Sequence, residues 1–321
     1  MDAARAGDEG AFGRLVEPHS RELFAHCYRM LGTLHDAEDA LQDSLLRAWR
    51  GLAGFDGRSS LRSWLYRIAT NASLDVIARR GRAPVLPAAQ GPATTGSWDP
   101  ETPKETEVLW LQPLPEDGYL QREGVELAFV AALQHLSPNQ RAALIMREVL
   151  GFSAQEVAES MATSVASVKS ALQRARATLD ERMPDRSQQE TLRALGDARI
   201  QMIVRSYADA FERGDVDGLV SLLADDAEWS MPPYRLWYSG VDSIAELLRT
   251  GPATERWRHR ATKANGQPAV ACYSWDERRA VFAAAAIDVL TLRPDGRIAA
   301  VTAFLDPGLF PRFGLPDSIP G

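Results

Sequence analysis

The chain has 321 residues, enough for two or three domains, and 45% hydrophobic with 25% charged residues is the balance of a folded globular protein, not of a disordered or fibrous one. A formal net charge of -7 excludes a globally basic nucleic-acid binder, so any phosphate-holding surface must be local. The two cysteines, Cys27 and Cys272, lie far apart without nearby metal-ligand partners, which excludes a disulfide framework, gives no metal site and fits a cytoplasmic location. The first residues lack the basic and apolar regions of a signal peptide, and no apolar run approaches the ~20 residues needed to span a bilayer, so no membrane partner is expected.

Phe12, Leu15 and Val16 open a helical pattern that continues through Leu23, Phe24, Cys27, Tyr28 and Leu31 to a break at Gly32-Thr33. A second helix starts at Asp36, turns Ala37, Ala40, Leu41, Leu45, Ala48 and Trp49 inward and carries acids in its first turns, where the helix dipole favours them. Taken alone, its acidic outer face is a solvated surface. A glycine-rich loop follows over residues 51–60, and Ser60 caps a third helix with Leu61, Trp64, Leu65, Ile68, Ala69 and Ala72 inward and Arg79-Arg80 at its end. The remaining face offers Arg62, Tyr66, Arg67 and Asn71, and with Phe55, Arg58 and Ser59 of the loop it interleaves aromatic, polar and basic groups. Such a face suits a melted strand, whose bases stack on rings while arginines follow the phosphates.

Residues 82–123 hold seven prolines, 3 basic and 7 acidic side chains and no sustained period, which reads as a linker. Within it, residues 110–117 begin with Trp110, Leu111, Pro113 and Leu114, an apolar cluster on a proline-stiffened backbone that is expected to dock somewhere.

Residues 137–179 stack three helix signals. Ser137-Pro-Asn-Gln140 and Ser153-Ala-Gln-Glu156 both have capping-box form, with Leu144, Ile145 and Val149 buried in the first helix, and Val157, Ala158 and Met161 in the second. After a turn at residues 162–164, Val165, Val168, Leu172, Ala175 and Leu179 form the apolar stripe of a third helix, leaving Ser164, Ser167, Lys169, Ser170, Gln173, Arg174 and Arg176 toward solvent. This is a helix-turn-helix whose last helix suits the major groove, its first turns on base edges and its arginines on phosphates.

Beyond residue 184, Leu195, Ile200, Ile203, Val204, Tyr207 and Phe211 mark a long amphipathic helix, a short helix follows the Gly214-Asp215 break, and another covers residues 241–248. Strand patterns follow at 257–262, 269–273, 281–292 and 298–304. Helices first and a curved antiparallel sheet afterwards read as an α+β cone. Trp229, Tyr234, Trp237, Tyr238, Trp257, Tyr273 and Phe304 are candidates to line it, with His259 and Asp288 as titratable groups. Asp288 shares strand parity with Phe282, Ala284, Ala286 and Leu290; if that face is inward, burial should raise its pKa.

The run from Asp36 to Arg50, the following Phe-x-Gly-Arg-Ser-Ser-Leu-Arg-Ser-Trp-Leu-Tyr-Arg and the helix-turn-helix together resemble regions 2 and 4 of the extracytoplasmic-function (ECF) bacterial RNA polymerase sigma factors. The last segment resembles the SnoaL-like domain of ketosteroid isomerases and polyketide cyclases, which a subgroup of those factors carries. The resemblance implies two all-α domains, at residues 1–81 and 124–183, a linker at 82–123 that threads through the polymerase, and an α+β cone at 190–321. It implies that Asp36, Glu38, Asp39, Gln42 and Asp43 dock on the clamp helices of the largest subunit of core RNA polymerase, that region 4 holds the flap of the other large subunit, and that promoter DNA is the second partner. Ser167, Lys169, Ser170, Gln173, Arg174 and Arg176 become candidates for the -35 element. Phe55, Arg58, Ser59, Arg62, Tyr66, Arg67, Asn71, Arg79 and Arg80 become candidates for the -10 strand. The appended domain is expected to regulate the helical ones through Trp110, Leu111, Pro113 and Leu114 of the linker and Phe310 and Phe313 of the tail. Its catalysis is not expected and no cofactor is implied; a small-molecule pocket at Trp229, Trp237, Trp257, His259 and Asp288, serving a sensor or an isomerase, is the alternative.

Overall fold

The computed structural model describes residues 1–97, 99, 101–116, 125–183 and 186–321. The chain divides into two compact units, one from residues 1–84 and 118–184 and one from 85–117 and 185–321, which groups the four expected segments in pairs. The end of the apolar linker cluster, Asp117, lies outside the described residues.

The first unit contains α1 (Asp2–Arg5), α2 (Glu9–Leu31), α3 (Leu34–Gly51), α4 (Leu61–Arg80), α5 (Leu127–Leu133), α6 (Pro138–Leu144), α7 (Ala154–Ser160) and α8 (Val165–Asp180). Local chemistry sets their ends. Asp8 caps α2 by accepting from the Ala11 N–H at 2.9 Å, Ser60 caps α4 by accepting from the Ser63 N–H at 3.0 Å, and Gly32 closes α2 in the left-handed conformation at φ 74° that a Cβ disfavours. Both expected capping boxes are present, Ser137 with Gln140 and Ser153 with Glu156. The helix opened by Ser137 widens after Leu144 into a π-helical turn, Ile145–Val149. α2, α3 and α4 form one bundle around Leu23, Tyr28, Ala37, Ala48, Leu65 and Ala69.

The two bundles of this unit meet through buried polar groups. Arg141, 2% exposed, donates to the carbonyls of Met30, Gln134 and Leu136 and to Gln134 Oε1, so one guanidinium satisfies the last carbonyls of α2 and α5. Gln134 Nε2 reaches the Arg29 carbonyl at 3.2 Å. Burial, with the nearby Arg80 charge adding to it, pulls the Arg141 pKa down to about 9.

The second unit contains α9 (Gln188–Leu195), α10 (Asp197–Glu212), α11 (Val216–Ser221), α12 (Val241–Thr250) and β1 (Leu223–Ser230), β2 (Trp237–Ser239), β3 (Trp257–Ala264), β4 (Gln267–Asp276), β5 (Val281–Leu292), β6 (Ile298–Phe304) and β7 (Ser318–Pro320). The long helix expected from Leu195 onward is two helices, because Gly196 at φ 78° breaks the run and Leu195 belongs to the first of them. The sheet runs β2-β1-β6-β5-β4-β3, with β7 on β5. It is antiparallel except where β1 lies parallel to β6, so the cone is built on a mixed sheet. α10 packs across β3 and β4, and Tyr207, Phe211, Trp229, Ile244, Leu247 and Leu290 are among the residues that fill the space between helices and sheet.

Linker residues join this unit as an extended strap. Val85 and Trp110 form a parallel bridge, Pro115 and Ala264 an antiparallel one, and Leu111 and Leu114 are 0% and 1% exposed. Burying two leucines stabilises the strap by roughly 3–6 kcal/mol, enough to offset the ordering of several residues.

Candidate nucleic-acid interface

Helical spacing places Asp39, Gln42, Asp43 and Leu46 on one stripe of α3. Leu46 is 52% exposed, a large apolar side chain amid acids that sequence reasoning missed. Periodicity would have found it, since i, i+3, i+4 and i+7 from Asp39 end on Leu46. A cleft of about 680 Å³ opens beside the stripe between α3 and α4, lined by Asp39, Asp43, Arg47, Asp75 and Arg79 among others. Arg47 bridges Asp43 at 2.7 Å and Asp75 at 2.8 Å. Asp36 has a different place: it accepts from Arg80 and Thr33, tying the start of α3 to the end of α4.

The loop and α4 candidates separate into two groups. Arg58, Ser59, Arg67, Asn71 and Arg79 face solvent. Phe55 is 9% exposed with its ring 4.9 Å from Trp64, and Arg80 is held by the Leu31 carbonyl and Asp36. Tyr66 is fully buried, its hydroxyl on Glu22, and Arg62 pairs with the same carboxylate at 3.2 Å. Phe55 packs on Trp64 of α4 itself, whereas Tyr66 and Arg80 are held by Glu22 and Asp36, distant partners that a surface reading of α4 does not contain.

On α8 the expected face is all exposed: Ser167, Lys169, Ser170, Gln173, Arg174 and Arg176. Ser164 caps the helix by accepting from the Ser167 N–H at 3.1 Å, while Val168, Leu172 and Ala175 are buried against the preceding helices. Arg176 is tethered to Glu148 at 2.5 Å.

The linker strap is fixed by named contacts. The Leu114 N–H donates to Asn265 Oδ1 and the Asn265 N–H to the Leu114 carbonyl, both at 2.8 Å. Trp237 Nε1 donates to the Gly91 carbonyl and its backbone N–H to Thr94 Oγ1, so this tryptophan serves the strap and not the cone interior. Trp110 Nε1 donates to the Glu105 carbonyl, Glu105 pairs with Arg235, and buried Pro113 continues the strap. Phe310, a candidate for contact with the helical domains, is buried with its ring 5.0 Å from Tyr273 of its own unit, and Phe313 is half-buried.

Inside the cone, Tyr207, Phe211, Trp229, Trp257 and His259 form one run of ring contacts at 5.2–6.3 Å. Asp288 is 3% exposed and accepts from Tyr207 Oη at 2.8 Å and Cys272 Sγ at 3.3 Å. Burial raises its pKa to about 6 against the opposing pull of those two bonds. Burial lowers His259 to about 4, with Arg258 adding to the effect; Glu212 Oε1, 3.5 Å from Nδ1, does not outweigh it.

Comparison with known proteins agrees with this division. Residues 15–83 match the Sigma-70 region 2 model, 126–179 the Sigma-70 region 4 model and 204–301 the SnoaL-like domain model. The ECF RNA polymerase sigma factor SigG of Mycobacterium tuberculosis is 46% identical across 97% of this chain and 85% of its own. The chain belongs to the ECF sigma factor family. Another ECF sigma factor, SigW of Bacillus subtilis, is 28% identical over 56% of the chain and 93% of its own. The fold of this family member, cone included, matches the crystal structure of the ECF sigma factor SigJ of Mycobacterium tuberculosis with a TM-score of 0.60 over 94% of this chain and 99% of that one, at 22% identity.

Proposed function

We propose that this sigma factor binds core RNA polymerase in the cytoplasm and directs it to a subset of promoters. The α3 stripe, Glu38, Asp39, Gln42, Asp43 and Leu46, docks on the clamp helices, with Asp36 holding the stripe in place. α8 reads the -35 duplex with Lys169, Ser170, Gln173 and Arg174, while Ser167 and Arg176 hold phosphates. The loop before α4 and the α4 face take the melted -10 strand. The observation that carries the reading is an α8 face of six exposed polar and basic side chains on a capped helix-turn-helix, joined in one chain to the acidic stripe of α3. A repressor of duplex DNA has no use for the second of these.

The C-terminal unit regulates by holding the linker. A segment bonded to Asn265, Trp237 and Ala264 is not free to thread elsewhere, so holoenzyme formation must release it or carry the unit along. The cone is non-catalytic in this reading: its rings pack on one another, and Asp288 is already engaged by Tyr207 and Cys272. In vitro transcription with core polymerase tests the whole proposal. Discrete start sites are expected with the full chain and stronger ones with Asn265→Ala; transcription from neither protein overturns it.

A further inference from the structure

Tyr66 lies on the α4 face that strand capture needs, yet it is fully buried. Phe152, from the turn before α7, covers it: the two ring centroids are 5.6 Å apart and the planes meet at 74°. The Arg62 guanidinium lies over both rings, 4.9 Å from Tyr66 and 5.4 Å from Phe152. Phe152 is fixed from its own side, its N–H donating to the Met146 carbonyl and its carbonyl accepting from Arg147.

Glu22 of α2 supports the other side of the cluster. Its Oε2 accepts from Arg62 Nε, Arg62 Nη2 and the Tyr66 hydroxyl, each at 3.2 Å, and its Oε1 lies 2.7 Å from His19 Nδ1. Glu22, Arg62 and Tyr66 all belong to the α2–α4 bundle, so their arrangement does not depend on Phe152. Only the ring on top comes from the helix-turn-helix.

An aromatic ring held edge-to-face against a tyrosine and beneath a guanidinium occupies the space that a nucleobase lying under that guanidinium would take. We propose that Tyr66 and Arg62 form a base-binding subsite for single-stranded DNA and that Phe152 occupies it in the free chain. Glu22 is the positioning residue: it sets the Arg62 and Tyr66 side chains so that the platform stands ready when the aromatic ring leaves. The inference rests on, and deepens, the reading of α4 as the strand-capture helix. Arg141 and Gln134 fasten the same pair of bundles from the α2 side, so the subsite opens when that contact parts.

The test is binding of a fluorescein-labelled single-stranded DNA of roughly 12 nucleotides and mixed sequence to the full chain without polymerase. Phe152→Ala should bind about tenfold tighter than the parent, the size expected for freeing one stacking position, and Phe152→Ala with Tyr66→Ala should return to the parental level. Arg141→Leu loosens the contact while sparing both rings and should raise binding in the same Tyr66-dependent way; it decides the matter where Phe152→Ala does not fold. No gain in either variant, or a gain that survives Tyr66→Ala, overturns the proposal. Open-complex formation by the holoenzyme separates the two layers. If Tyr66→Ala impairs it while neither opening variant gains strand binding, the capture reading stands and the Phe152 inference falls; if Tyr66→Ala leaves it intact, both fall.

Discussion

Leu114 and Asn265 exchange two hydrogen bonds of 2.8 Å, one through the asparagine side chain and one through its backbone. Asn265 sits at φ 55° in the β3–β4 turn and is 1% exposed, so the turn conformation aims both groups at the strap. Replacing it with alanine leaves the buried Leu114 N–H without its acceptor, at a cost of about 1–3 kcal/mol. Hydrogen exchange on the full chain should show the Leu111 and Leu114 amides losing protection by about tenfold, with amides of β5 unchanged. Unchanged protection at Leu114 would show that the turn does not hold the strap.

Acid should affect the two units differently. Burial, reinforced by Arg29, lowers His26 in the first unit to about 3, and His259 in the second is lowered to about 4. A lowered histidine pKa means the unfolded chain takes the proton first, so this stability is full above pH 6.5 and lost as pH falls towards the folded values. Asp288 has the opposite sign: raised to about 6, it contributes stability below pH 3.8 that is lost as pH rises through 6. His259 and Asp288 therefore oppose each other between about pH 4 and 6, while His26 acts in the other unit. Thermal unfolding at pH 7, 5.5 and 4.5 should show the first unit weakening more. Asp288→Asn keeps an acceptor for Tyr207, should stabilise the second unit above pH 6 by on the order of 3 kcal/mol, and should make it acid-sensitive. A Asp288→Asn profile parallel to the parent's would refute the assignment.

Much of this was legible because it is local. Ser60, Ser137 and Ser153 announce their helices within three residues, and the parity of Ala286, Asp288 and Leu290 on β5 holds around the buried carboxylate, whereas a bulge at Ala285 turns Phe282 and Ala284 to the opposite face, which alternation alone does not reveal. The pairings were not legible. β2 and β7 are three residues each, too short for alternation to register, and β1 meets β6 in parallel across most of the unit's sequence. Trp237 looks like a cone residue until the Gly91 carbonyl appears opposite it. Tyr66 and Arg80 looked like surface for the same reason: Glu22, Phe152 and Asp36 come from elsewhere in the chain.

Leu46 tests the polymerase stripe without the ambiguity of charge. Exposed as it is, Leu46→Ala should leave stability within about 0.5 kcal/mol of the parent. An apolar side chain that becomes buried at the centre of an interface costs more than 1 kcal/mol when truncated, so affinity for core polymerase should fall about tenfold. Competition against the parent chain for limiting core polymerase gives the readout. Equal competition by Leu46→Ala would remove α3 position 46 from the interface.

The α8 face makes a two-way prediction that separates reading from holding. Gln173 and Arg174 are exposed one turn beyond Lys169 and Ser170, where side chains in a major groove reach base edges, whereas Arg176 is held back by Glu148. Gln173→Ala and Arg174→Ala should each cost about 1–3 kcal/mol on the preferred -35 sequence and little on others, flattening the preference. Arg176→Ala should weaken all sequences alike and lower the salt dependence of binding by about one phosphate contact. Glu148→Ala should act the other way, because an arginine freed from its carboxylate keeps its full charge for phosphate. Promoter-library selection with holoenzyme at two salt concentrations measures all four, and an Arg176→Ala variant that changes the selected sequence while Arg174→Ala does not would reverse the two roles.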